Sequence, residues 1–118
     1  MSATRNRATA RWMVGPFLAG LLLATALAGA LRFARLESVP VSLYCDEAFS
    51  GYEAYCLLET GRDSRGASWP FFFDIFGKGW GEPLYIYLSM APVALFGLSP
   101  LGARFVAALA GTLAVPVT

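Results

Sequence analysis

The sequence predicts an all-α membrane protein, polytopic, with transmembrane helices around an external loop that carries a short amphipathic juxtamembrane helix. Three observations lead there. Apolar residues make up 57% of the 118-residue chain and fall in long blocks. Only 14% of residues are charged, against about 25% in a typical soluble domain, and mean hydropathy is +0.56. The charges are also segregated: all eight acids lie between Arg32 and Glu82. Histidine is absent, which excludes Ser-His-Asp and Cys-His catalysis and histidine-ligated metal. No basic stripe suggests nucleic acid, and GKGWG lacks the spacing and the Ser/Thr of a phosphate-binding loop.

Residues 1–11 carry Arg5, Arg7 and Arg11 and no acid. They read as a cytoplasmic N-terminus. Residues 12–31, WMVGPFLAGLLLATALAGAL, contain no charge. At 1.5 Å per residue this first transmembrane helix covers about 30 Å, the thickness of a bilayer core. The small residues around Ala28 also suit a signal-peptidase site, so a cleaved leader and a secreted product form an alternative. The run is longer than a usual leader core, which favours an uncleaved helix. Residues 83–100 are a second uncharged block, and 101–118 start a third with Arg104 near its head. The third run stops unfinished at Thr118, which leads to the expectation of an N-terminal piece of a longer polytopic protein. The positive-inside rule then places the N-terminus and Arg104 in the cytoplasm and residues 32–82 outside.

The external loop is dense in aromatics, unlike a disordered linker. Its helical spacing predicts a helix over about 46–60. Cys45, Phe49, Tyr52 and Cys56 would form its apolar face, with Asp46, Ser50, Glu53 and Thr60 opposite. Gly61 is a suitable stop, and Pro83 suits the first turn of the next helix. Eleven residues along one helix separate Cys45 and Cys56 by about 16 Å, too far for a disulfide. Asp46 and Glu47 sit in the first turn, where the helix dipole favours acids. By itself, a DE pair says no more than that.

The order of features says more. Asp46-Glu47 is followed by Gly61-Arg62-Asp63-Ser64-Arg65-Gly66 with Pro70. Next come Pro83-Leu84-Tyr85-Ile86-Tyr87-Leu88, then Phe96-Gly97-Leu98-Ser99 and Arg104. This ordered set resembles the start of the GT-C-fold membrane glycosyltransferases. Within them it is most similar to the bacterial relatives of the dolichyl-phosphate-mannose–protein mannosyltransferases and to the lipid A aminoarabinose transferase group. Glu82-Pro83 departs from the double proline of many relatives.

The resemblance implies an N-terminal fragment of a GT-C fold in the cell membrane. It also implies sugar transfer from a polyprenyl-phosphate donor to a protein, lipid or glycan acceptor on the external face. Asp46 would be the base and Glu47 its support, and the two would be candidate ligands for a divalent metal, since oxygen donors suit hard cations. Arg62, Asp63, Arg65 and Lys78 would bind substrate, the cations countering the donor's phosphate. A groove for a lipid donor needs more helices than these, so the 118 residues alone are expected to be inactive. The competing reading is a non-catalytic small membrane protein or transporter component.

Overall fold

The computed structural model describes the backbone of residues 3–118 and the side chains from Val14 onward. The N-terminal arginines, Arg5, Arg7 and Arg11, lie outside the described side chains. The chain is mostly helical and divides into two compact units. One comprises the N-terminal helix as far as Ala34 with Leu109–Thr118, and the other is Arg35–Ala108.

In the first unit, α1 runs Ala3–Phe33 as one helix with Pro16 inside it and Arg32 in its last turn. The basic residue complements the negative end of the helix dipole. Val14–Phe33 has a mean hydropathy of 2.0 and none of it is buried. Small residues let α1 approach the C-terminal segment. A Cβ at Gly29 would lie 3.2 Å from the Thr112 methyl group, and one at Gly111 would lie 2.8 Å from Arg32 Nε.

The second unit holds the core. Helix α2 spans Cys45–Thr60. Tyr44 N–H donates to Glu47 Oε2 at 3.2 Å, one half of a capping box. At the far end Gly61 adopts φ 68° and its N–H returns to the Leu57 carbonyl, a left-handed stop that a Cβ would strain. Helix α3 spans Pro83–Phe96 and packs against α2. Ala54, Leu57, Phe73, Ile86 and Val93 form the shared core, with Phe49, Tyr87 and Met90 against it. Each large aliphatic side chain removed from water contributes roughly 1.5–3 kcal/mol.

The buried face of α2 is Gly51, Glu53, Ala54 and Leu57, not the expected Cys45–Phe49–Tyr52–Cys56 stripe. Cys45 is exposed and Tyr52 is 50% exposed. Gly51 is selected by proximity: a Cβ there would sit 3.1 Å from the Ala103 Cβ. Both cysteines are free thiols.

Between α2 and α3 the chain is not all irregular. Strands β1 (Phe73–Asp74) and β2 (Trp80–Gly81) pair antiparallel, with Phe73 opposite Gly81 and Asp74 opposite Trp80. This ribbon is a small exception to the all-α expectation. Phe73 points into the core, while Phe71, Phe72 and Trp80 stay exposed and meet edge to face.

The expected second span, 83–100, ends early. Gly97 takes φ 71°, which breaks the helix after Phe96. Ser99 then starts a new one by accepting the Gly102 N–H on its hydroxyl and the Ala103 N–H on its carbonyl. At 14 residues, α3 is about 21 Å long, short of a bilayer core. Helix α4, Pro100–Ala114, continues into a 3-10 turn at Val115–Val117. Pro100–Val117 is 18 residues with a mean hydropathy of 1.5. Among the described residues, two helices, α1 and α4, are therefore long and apolar enough to cross a membrane.

Candidate functional site

The first turn of α2 separates the two acids in role. Successive helix positions point about 100° apart, so Asp46 and Glu47 face different neighbours. Glu47 turns toward Arg104 at the start of α4. Arg104 Nε and Nη2 both donate to Glu47 Oε2, at 3.1 Å each. The same guanidinium donates to the carbonyls of Leu36 (3.2 Å), Pro40 (3.1 Å) and Ser42 (2.9 Å). Arg104 is 4% exposed. A buried charge is tolerable only with such complete pairing, and the planar five-donor fork of arginine suits a ring of several acceptors. The clasp fixes the chain from Leu36 to Glu47 and thereby the N-terminus of α2.

This contact corrects the topology reading of Arg104. A residue 3.1 Å from Glu47 cannot lie across a bilayer from the loop that carries Glu47. Arg104 is a structural cation beside α2, so it and the loop of Glu47 do not fall on opposite faces as the positive-inside reading had them.

Asp46 is exposed. The only hydrogen bond of its side chain among the described residues is a long one, 3.7 Å, from the Cys45 thiol. It lines a cavity of about 190 Å³ together with Phe49, Ser50, Glu82 and Tyr85. The Tyr85 hydroxyl donates to the Ala103 carbonyl at 2.8 Å, which ties the wall of this cavity to the helix that carries Arg104.

The four residues expected to bind substrate are not brought together as a cationic site. Arg62 Nη1 donates to the Gly66 carbonyl at 2.8 Å. The Asp63 carboxylate accepts the backbone N–H groups of Arg65 (3.0 Å) and Ala67 (2.7 Å), so it shapes its own turn. Arg65 is ion-paired to Asp74, and Asp74 also accepts the Gly77 N–H at 2.7 Å. Lys78 is exposed at the turn of the ribbon and, among the described residues, forms no ion pair.

Glu53 carries the largest surprise. It is 2% exposed where the helical pattern puts it on the polar face. Its carboxylate accepts the Ser64 N–H at 2.9 Å and pairs with the Ser64 hydroxyl. This anchors the 61–68 loop on α2. Only the GRDSRG turn, with its four polar side chains between two glycines, hinted in the sequence that something had to receive it.

Glu47 Oε2 already accepts three N–H donors. Among the described residues no group of three or more potential ligands converges. Compared with known proteins, the chain matches no family model, no curated protein and no solved structure.

Proposed function

We propose that this chain is part of an integral-membrane glycosyltransferase that moves a sugar from a polyprenyl-phosphate carrier to an acceptor hydroxyl, with Asp46 as general base. One observation carries the reading. Of two adjacent acids, Glu47 is consumed by the Arg104 clasp, while Asp46 is left exposed at a cavity on a helix start held rigid by that clasp. A base must be placed firmly and yet remain uncommitted.

In the proposed step the acceptor oxygen attacks the anomeric carbon and its proton passes to an Asp46 carboxylate oxygen. The bond between the anomeric carbon and the phosphate oxygen breaks, and polyprenyl phosphate leaves with the electron pair. Glu47 acts as a positioning residue, with its charge balanced by Arg104. Lys78 and Arg62 are the cations still available to the donor's phosphate. In this reading α1 and α4 are the crossings, the residues between them share one face, and the arginine-rich N-terminus supports an external position for that face.

The test uses native membranes carrying the gene in its chromosomal setting, supplied with radiolabelled polyprenyl-phosphate hexoses and pentoses. Asp46→Asn should lower transfer by roughly 10²- to 10⁴-fold, the usual share of general-base catalysis. Properly folded Asp46→Asn protein with near-normal turnover rules Asp46 out as the base. Wild-type membranes that transfer from no donor favour the non-catalytic membrane protein.

A further inference from the structure

A second, larger cavity opens beside the first. Its volume is about 390 Å³, within the roughly 300–1,000 Å³ of small-molecule sites. Phe49 and Phe76 form one wall, with ring centroids 5.3 Å apart and planes tilted by 57°. Tyr52, Glu53, Arg65 and Asp74 supply the polar edge. Phe49 also lines the cavity of Asp46, so the two spaces meet across a single ring.

Two features narrow the ligand. Phe76 takes φ 52° at the turn of the ribbon, where Gly77 is also left-handed and the Lys78 N–H donates to the Ile75 carbonyl at 2.9 Å. Its ring is 60% exposed. The turn accounts for the backbone, and the ring at its tip stands on Phe49 with its other face open to a ligand. The charges decide the rest. Arg65 is offset by Asp74, and Glu53 remains, so these three side chains sum to −1. An anionic phosphate is disfavoured there. Arg65 binds Asp74 through Nη1 and has further N–H donors to offer. The Tyr52 hydroxyl adds a donor, and the Asp74 carboxylate accepts, while Glu53, engaged by Ser64, contributes its charge. Flat aromatic faces beside in-plane donors and acceptors match a pyranose ring, which is apolar on its C–H face and hydroxylated around its edge.

We propose that this cavity is a subsite for a neutral hexopyranose ring, which makes the acceptor a glycan rather than a hydroxyl of a protein or lipid. The cavity's ligand class stands on its own geometry; only the word acceptor rests on the transferase reading. A sugar seated on Phe49 and Phe76 would extend its neighbouring hydroxyl past Phe49 toward Asp46.

Saturation-transfer NMR on the full chain in nanodiscs tests this, with methyl glucoside, methyl mannoside and methyl N-acetylglucosaminide as probes. A serine–threonine dipeptide amide and inorganic phosphate serve as comparisons. At least one glycoside should receive saturation on its C–H face. Its affinity should fall roughly fivefold in Phe76→Ala, the share of one aromatic contact, and also in Tyr52→Ala, at a half-exposed position. Binding should persist in Asp46→Asn, and phosphate should not compete. No glycoside signal in the wild type overturns the proposal, as does a signal from the dipeptide alone. Unchanged binding in both aromatic variants, or displacement by phosphate, overturns it too. Binding needs no turnover, so this proposal and the transferase reading fail on separate results.

Discussion

Replacing Arg104 by Met removes the clasp while keeping a long apolar stem. Five hydrogen bonds disappear: two to Glu47 and one each to the carbonyls of Leu36, Pro40 and Ser42. Breaking a buried charge pair costs about 3–5 kcal/mol when the stranded partner stays buried. Here the partner does not, because the Glu47 side chain is 35% exposed and rehydrates. The carbonyls of Pro40 and Ser42 belong to exposed residues and regain water as well. The Leu36 carbonyl and the lost closure of the loop then dominate, and the sum is about 2–4 kcal/mol. Glu47→Gln keeps an acceptor for the Tyr44 N–H and costs only about 1 kcal/mol. The assay is SDS titration in dodecyl maltoside micelles, followed by tryptophan fluorescence. A double-mutant cycle should return a coupling of about 1–2 kcal/mol between the two positions. Arg104→Met that unfolds within about 0.5 kcal/mol of wild type, with unchanged helix content, refutes the argument.

Gly102→Ala should destabilise by about 1–3 kcal/mol in the same titration, because its Cβ would lie 2.6 Å from the Gly97 carbonyl oxygen. Gly15→Ala meets nothing within 4 Å and should be neutral or stabilising by up to about 1 kcal/mol. Glu53→Ala leaves the Ser64 N–H without its acceptor, so trypsin should cut after Arg62 and Arg65 several times faster than in wild type, read by mass spectrometry. The Cys56 thiol holds the Tyr52 phenol above its ordinary pKa, helped by the other acidic groups around it. Cys56→Ala should therefore lower the Tyr52 midpoint in a 295 nm titration. The sign for stability follows: the folded form keeps its proton longer, so any contribution is complete below the ordinary phenol range and is lost as pH rises through the folded pKa.

Local chemistry made much of the fold legible in the sequence. The acids in the first turn of α2 and the glycine at 61 mark both ends of that helix, and they do so because caps are decided by near neighbours. Pro83 marks the start of α3 for the same reason. The buried face of α2 was not legible, since periodicity ranks Glu53 as polar and has no way to see Ser64, eleven residues on. Gly97 was hidden inside a hydrophobic run, where composition favours one long helix and only the backbone reveals the break. For the site, Asp46 and Glu47 could be singled out, but their difference in role could not. That difference depends on Arg104, 57 residues from Glu47, which sequence logic had assigned to the opposite side of the membrane. Arg65 looked like a free cation for the same reason: its partner Asp74 comes from the ribbon.

The Arg104 clasp also sets an order of assembly. At about 5–20 residues per second, a ribosome needs roughly 3–11 seconds to add the 57 residues that separate Glu47 from its partner. Throughout that interval α1 is already available for insertion, while the start of α2 lacks the group that fastens it. The emerging loop therefore waits, with Glu47 hydrated and its carbonyls open to water, until the head of α4 leaves the exit tunnel. The residue that holds the acidic pair in place is among the last parts of the unit to be synthesised, so Asp46 takes up its final position only when the surrounding wall is nearly complete.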